Sequence, residues 1–141
     1  MAILKKILAP TDFSDLSAEG VRYACQLAKD VGAQVIVLNV IVLDESNTTN
    51  EREMEQHKQR LEEFVAKTVS HRAELKAREV VVAGQPYGAI VDWGENEKVD
   101  LIVMSTHGRG GLSRMLIGSV TDKLLRGATC PVLVVPAHGK N

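Results

Sequence analysis

Short runs of apolar residues alternate along the chain with longer segments in which apolar positions recur every three or four residues. The runs are rich in Val, Ile and Leu, which is typical of strands covered on both faces. They predict five β-strands, at residues 3–9, 34–43, 79–83, 100–104 and 131–135. The segments between them predict helices that cover both faces of the sheet. We therefore expect an α/β fold built on a single open five-stranded parallel sheet.

Capping and turn residues mark where the predicted helices begin and end. Ser14 and Ser17 are alternative N-caps for a first helix, and Gly32 is its expected stop. Residues 44–50 are polar and without periodicity, which predicts a surface loop. A long charged helix is predicted over residues 51–74, and its charges are those of a solvated face.

Strand order decides where a ligand would bind. The crossovers between parallel strands are expected to be right-handed. If the strand order is 3-2-1-4-5, as we expect, it reverses between strands 1 and 4. In such sheets ligands bind beyond the carboxyl ends of the strands at the reversal. Pro10 is expected to stop strand 1, and Pro136 to stop strand 5, because proline cannot donate a ladder hydrogen bond. Thr11 and Asp12 would then face residues 104–108 across a crevice.

Composition narrows the class of protein further. A chain of 141 residues with 45% hydrophobic and 25% charged residues fits one globular domain, residues 1–141. The formal net charge of −1 gives no overall field for nucleic acid or an anionic membrane, and no segment has the roughly 18 apolar residues of a membrane span. Cys25 and Cys130 are expected to be reduced, buried and unreactive. Together these features predict a cytoplasmic protein.

Several glycines and cationic residues follow the predicted strand 4. Gly108, Gly110 and Gly111 lie beside Arg109, and Gly118 precedes a helical pattern. The next residue, Ser119, is predicted as the N-cap of that helix, whose first backbone N–H groups lack partners. A strand, a glycine loop, a cation and a helix N-terminus together predict a site for an anion, most simply phosphate.

The spacing of these residues distinguishes between phosphate signatures. Neither G-x-x-x-x-G-K-[ST] nor, after strand 1, G-x-G-x-x-G occurs, which counts against a P-loop enzyme and a dinucleotide fold. The pattern Gly108, nine residues, Gly118-Ser119 resembles the signature G-x2-G-x9-G-[S/T] of the universal stress protein family. The segments ILAPTDFSDLS, VLNV, DLIVMSTHGRGGLSRMLIGSV and CPVLVVP are also similar to that family, so the resemblance covers the whole chain.

The resemblance implies a Rossmann-like fold, similar to the adenine nucleotide alpha hydrolases, that binds ATP or AMP. Carried over to this sequence, it places Pro10, Thr11 and Asp12 against the adenosine, with Asp12 at the ribose. Val40 and Met104 would enclose the adenine. The remaining predicted ligand-binding residues are those near the phosphates: Ser105, His107, Gly108, Arg109, Gly118, Ser119 and Val120. Asp12 could instead face a Mg²⁺ ion bound to the nucleotide.

Each of these assignments has a simpler alternative. The glycine segment could be a flexible surface loop, and Asp12 could serve as a helix cap. His107 is interpreted as a hydrogen-bonding loop residue, because no serine or cysteine nucleophile pattern accompanies it. Ser105 replaces the first glycine of the signature, and its hydroxymethyl group is expected to impede slightly the approach of the backbone to a nucleotide.

The fifth strand would be an edge of the sheet. Its apolar residues lack a protecting lysine or internal proline. The C-terminal tail could cover this edge, or the strand could pair antiparallel with its copy in a twofold homodimer, as the resemblance implies. The residues expected in that interface are Val132, Leu133, Val134 and Val135.

Two functions of different classes are compatible with the sequence. The first is a homodimeric ATP-binding sensor or regulator in a stress response, with at most slow hydrolysis, because the sequence shows no set of groups for fast phosphoryl transfer. The second is a protein-interaction module that does not depend on nucleotide, motivated by Ser105. An adenylyl-transferring enzyme is a weaker third, since Thr106-His107-Gly108 provides one histidine of the expected H-x-G-H.

Overall fold

The computed structural model describes residues 3–107 and 114–137. Strands and helices alternate along the chain. In chain order the elements are β1 (Lys6–Thr11), α1 (Asp15–Val31), β2 (Gln34–Val42), α2 (Glu51–Thr68), a turn of 3-10 helix (Arg72–Glu74), β3 (Lys76–Gly84), α3 (Pro86–Asn96), β4 (Leu101–His107), α4 (Arg114–Gly127) and β5 (Val132–Ala137).

The five strands form one parallel sheet in the order β3-β2-β1-β4-β5, which confirms the predicted topology. Successive residues of the central strand face opposite layers: Ile7 and Ala9 pack with α1 and α2, whereas Leu8 packs with α3 and α4. The same alternation holds in β2 and β4, so both faces of the sheet are covered. This double coverage explains the continuous apolar runs in the sequence.

Three predicted strand ends were wrong, because β1 continues through Pro10, β5 through Pro136, and β4 to His107 instead of ending at residue 104. The carbonyl of Lys6 accepts from Asp100 N, so even-numbered residues of β1 direct their backbone polar groups towards β4. β1 no longer pairs with β4 at position 10, and the absent N–H of Pro10 costs no ladder bond. In β5, the carbonyl of Pro131 accepts from Ile102 N, which places the Pro136 nitrogen on the side away from β4.

The helix ends follow the capping residues. Ser14 is the N-cap of α1, since its side chain accepts from Ser17 N, and Gly32 ends this helix with φ 72° in the left-handed region. Asn50 caps α2. The predicted extension of α2 to residue 74 was wrong, because the chain becomes extended at Val69, which places that side chain in the core.

The N-cap predicted at Ser119 was also wrong. α4 begins at Arg114, so Gly118 and Ser119 both lie inside the helix, and Ser119 is exposed. Three good helix formers, Arg114, Met115 and Leu116, begin this helix before Gly118, and a single interior glycine costs only about 1 kcal/mol relative to alanine. None of the helices in the described part of the chain is long and apolar enough to cross a membrane.

Candidate functional site

A crevice opens where the sheet reverses direction. β1 and β4 pair at Ile7 with Leu101 and at Leu8 with Ile102. Beyond these pairs β1 stays with β2 as far as Thr11, and β4 stays with β5 as far as His107. The two central strands therefore diverge towards their carboxyl ends, as expected for the ligand-binding edge of an open parallel sheet.

The crevice holds a cleft of about 240 Å³. Its walls are mostly apolar, with a few polar groups at the β1 end, and they consist of Pro10, Thr11, Asp12, Ser17, Leu38, Val40, Val42, Pro86, Ile90, Met104, Ser105 and Val120. An apolar cleft with few orienting polar groups is typical of sites for small organic ligands. A flat aromatic base would bury its faces well between such walls.

A chain of hydroxyl hydrogen bonds fixes the turn between β1 and α1. Phe13 N donates to Thr11 Oγ1 at 3.0 Å, and Ser17 Oγ donates to Ser14 O at 2.8 Å. Thr11 Oγ1 lies 2.7 Å from Ser17 Oγ. Since the Ser17 proton is directed to Ser14 O, Thr11 is the donor in this contact. The buried hydroxyls of Thr11 and Ser17 are thus satisfied, and the turn is held before any ligand arrives.

Asp12 lies at the mouth of this turn. Ser14 N donates to its Oδ1 at 3.0 Å, which makes Asp12 a local turn former, while the N-cap of α1 is Ser14 itself. The second carboxylate oxygen, Oδ2, accepts no hydrogen bond from the residues that the structure describes. The side chain is exposed and borders the cleft. One oxygen of Asp12 thus shapes the turn and the other is available to a ligand hydroxyl.

Phe13 adopts a left-handed backbone conformation, with φ 71°. For a bulky residue this costs on the order of 1–3 kcal/mol and persists only where neighbouring groups hold it. Its ring packs edge-on against Phe64, with centroids 5.9 Å apart, and the guanidinium carbon of Arg60 lies 4.3 Å from its centroid. These contacts with α2 hold the strained turn that presents Asp12.

Asn39, in the neighbouring strand β2, connects the same turn to α2. This buried side chain donates from Nδ2 to Thr11 O at 3.0 Å. Its Oδ1 lies 3.0 Å from His57 Nδ1, and since that oxygen can only accept, His57 donates. The carboxyl end of β1 is therefore fixed from two directions. Asn39 was not predicted as a site residue, although a polar residue within the apolar run QVIVLNVIV was a usable signal.

Ser105 follows Met104 in β4, and the two side chains face opposite sides of the sheet. Met104 faces α3 and α4, where it lines the cleft. Ser105 Oγ accepts a hydrogen bond of 2.7 Å from Gly20 N in α1, and its carbonyl accepts from Thr121 Oγ1 of α4 at 3.3 Å. The hydroxyl is therefore directed at α1. Ser105 nevertheless also borders the cleft.

Seven of the predicted site residues border the cleft: Pro10, Thr11, Asp12, Val40, Met104, Ser105 and Val120. Ser119 lies in α4 and is not part of the cleft wall, and the backbone of Gly118 lies in the same helix. The interpretation of His107 as a loop residue was wrong, because its backbone ends β4. Gly108 and Arg109 lie outside the described residues.

Several cleft residues were missed from the sequence. Leu38 and Val42 lie two residues to either side of Val40 in β2, so strand alternation could have identified them. Pro86 and Ile90 belong to α3, which follows the carboxyl end of β3 at the same edge of the sheet. Their helix was predicted, but its packing against β2 could not be read from periodicity.

The cysteines and acidic residues suggest no further chemistry. Within residues 3–107 and 114–137, no group of three or more His, Cys, Asp or Glu is arranged to hold a metal ion. Burial, reinforced by the charge of Glu79, raises the pKa of the Cys25 thiol to about 11, so it stays protonated and unreactive at neutral pH. Cys130 is half-buried, and the prediction of burial was right for Cys25 alone.

The fold and the cleft define the class of protein: a doubly wound α/β protein with a small-molecule cleft at its strand reversal. The model of the universal stress protein family matches residues 4–136, and the chain belongs to this family.

Individual relatives support this assignment. Universal stress protein MJ0531 of Methanocaldococcus jannaschii is 36% identical over 140 residues, which cover 94% of this chain and 82% of the relative. The solved structure of MJ0577 from the same organism is 31% identical, with a TM-score of 0.65 and 99% of both chains covered. A universal stress protein in complex with cAMP is 25% identical, with a TM-score of 0.71, covering 93% of this chain and 95% of that one.

Proposed function

We propose that this chain binds an adenine nucleotide, ATP with AMP as the alternative, in the cleft between β1 and β4. The observation that carries the proposal is the convergence of Asp12, Val40 and Met104 on one apolar cleft, although they are far apart in sequence. A relative of the same fold is bound to cAMP, which supports an adenine nucleotide as the ligand class. By binding the nucleotide, the protein would act as a sensor or regulator in a stress response. We place this role in the cytoplasm.

The adenine base requires an apolar environment and the ribose requires hydrogen-bond partners, and the two ends of the cleft provide them. Adenine would lie among Leu38, Val40 and Met104, where burying its faces gives about 25 cal/mol per Å² of apolar surface. The ribose would lie at the β1 end, where Asp12 Oδ2 can accept from a sugar hydroxyl. Hydrogen bonds to a charged group contribute about 1.5–3 kcal/mol, so Asp12 would fix the orientation of the nucleoside.

The phosphates would extend from the cleft towards the glycine segment after β4. Gly108 and Arg109 lie in the part of the chain outside the described residues, so their role rests on the sequence signature. Asp12 could also meet a Mg²⁺ ion carried by the nucleotide, as a single carboxylate ligand. Such a site would hold a nucleotide and hydrolyse it slowly at most.

Calorimetric titration with ATP tests this function. The wild-type protein is expected to bind one nucleotide per chain, and Asp12→Ala to weaken binding about tenfold or more, through loss of a charge-assisted hydrogen bond. Asp30→Ala is the matched control, since this exposed carboxylate lies near the end of α1, away from the cleft. Absence of binding at millimolar ATP would favour the nucleotide-independent interaction module.

The proposed homodimer uses the open edge of β5. The edge-facing N–H groups are those of even-numbered residues, because Pro131 O is directed to β4. Val134→Pro should therefore remove a hydrogen bond needed by a partner strand and leave the β4 ladder intact, whereas Val134→Ala retains the N–H. We expect light scattering at micromolar concentration to give a dimer for the wild type and Val134→Ala, and a monomer for Val134→Pro. A dimeric proline variant would contradict pairing through this edge.

A further inference from the structure

The two sides of the cleft diverge, and a polar contact joins them where the strands no longer pair. β1 and its turn form one side, and the carboxyl end of β4 forms the other. Beyond Ile102 the β1–β4 ladder has ended. Ser105 lies three residues past that point and contacts α1, the helix that follows the β1 turn.

This contact is closely fitted. Ser105 is 4% exposed, and its Oγ accepts from Gly20 N at 2.7 Å. A Cβ atom at position 20 would lie 2.6 Å from that Oγ and 3.1 Å from Ser105 N. Position 20 must therefore lack a side chain for α1 to approach β4 closely enough to form the bond. The serine and the glycine are complementary, which explains how the chain accommodates a serine in place of the signature glycine.

We propose that Ser105 is a positioning residue that sets the width of the nucleotide cleft by tying α1 to the carboxyl end of β4. The proposal rests on the nucleotide-binding function proposed above. It assigns the hydroxyl a favourable effect on binding, where the sequence alone suggested a mild obstruction. Ser105 acts through α1, because its hydroxyl is directed at that helix.

The contacts around Ser105 show how its hydrogen bond with Gly20 would affect the binding of the ligand. Gly20 lies one turn of α1 after Ser17, whose hydroxyl accepts from Thr11 in the turn that presents Asp12. Met104, the residue before Ser105, lines the apolar part of the cleft. Thr121 of α4 donates to Ser105 O and so joins a third wall to the same residue. Loss of the hydroxyl would free both sides of the cleft, and binding would then have to order them.

The test compares ATP affinity and stability in the full chain. Ser105→Ala removes the hydroxyl but keeps the Cβ, and is expected to weaken ATP binding about fivefold, the effect of one typical hydrogen bond. Ser105→Gly is expected to weaken binding at least as much. Val35→Ala is the control, since Val35 is fully buried at the amino end of β2, away from the cleft, and its truncation lowers stability without affecting affinity.

A double variant tests the complementarity directly. Gly20→Ala should weaken binding in the wild-type background, because its methyl group meets Ser105 Oγ. In the Ser105→Gly background this Oγ is absent, so the same change should cost less. Such non-additivity is expected only for residues in contact.

The outcomes separate the alternatives. Tighter ATP binding by Ser105→Gly, or unchanged binding by Ser105→Ala, would overturn the positioning role. If the wild type binds no adenine nucleotide, the proposed function fails, and hydrogen exchange of the Gly20 amide then decides whether the bond ties α1 to β4. Exchange at this amide should be at least fivefold faster in Ser105→Ala than in the wild type, and equal rates would overturn the proposal.

Discussion

Replacing Val40 by glutamate is expected to weaken ATP binding about 100-fold or more, which corresponds to about 2.7 kcal/mol. Val40 is half-buried in the apolar wall of the cleft, on the face of β2 that packs with α3. A carboxylate there would have to lose its hydration when the adenine ring binds, and an unpaired charge is costly to desolvate. The new negative charge would also repel the phosphates of the nucleotide.

The control for this variant is Val31→Glu. Val31 is exposed at the last position of α1, close to where β2 begins. It therefore lies near the amino ends of the strands, whereas the cleft lies at their carboxyl ends. Both variants add the same charge, but only the one at Val40 is expected to change the dissociation constant measured by calorimetry. Circular dichroism would verify that both remain folded. If Val40→Glu binds ATP as tightly as the wild type does, the nucleotide does not bind in this cleft.

Much of the fold could be predicted because it depends on local patterns. Apolar runs such as QVIVLNVIV identify strands that are covered on both faces, and Gly32 identifies a helix end through its left-handed conformation. The coverage of both faces by helices follows from right-handed crossovers between parallel strands. These features depend on one segment at a time or on a general rule of chain geometry, so the sequence is sufficient for them.

The misplaced boundaries had causes outside their own segments. Pro10 does not end β1, because the neighbouring strand on its nitrogen side has already diverged. That divergence is a property of the assembled sheet. Ser119 has the residue type and position of a cap, yet the helix begins earlier, at Arg114.

The candidate site was predicted in part for the same reason. Asp12 and Met104 could be placed at the strand reversal, because the expected strand order brings their segments together, whereas Val40 followed from the family resemblance. The partners that shape the site could not be found in this way. Gly20 and Ser105 are 85 residues apart, and Asn39 and His57 lie in different elements. No periodicity or spacing signals such a pair, since each depends on how closely two elements pack.

Replacing Leu8 by alanine is expected to lower the free energy of unfolding by about 3–4 kcal/mol, the largest stability effect of a single truncation that we propose. Leu8 is fully buried in the central strand, next to Ile36 in β2 and Ile102 in β4. A Cβ at Gly94 would lie at an ordinary van der Waals distance of 3.7 Å from Leu8 Cδ2, so α3 covers this side chain. Because Leu8 is enclosed by both neighbouring strands and by α3, its truncation leaves a cavity whose cost adds to the lost transfer free energy.

Urea unfolding at a fixed protein concentration measures this effect, because association of chains would make the midpoint depend on concentration. Leu125→Ala removes the same atoms from a side chain in α4 that is 55% exposed, and should change the free energy of unfolding by less than about 0.5 kcal/mol. A loss below about 1 kcal/mol for Leu8→Ala, with an unchanged m-value, would contradict the close packing of α3 on the centre of the sheet.

The packing of α3 on the sheet also supports the cleft, because Ile90 of α3 forms part of its wall. Leu8→Ala is therefore expected to weaken ATP binding as well, and Leu125→Ala to leave it unchanged.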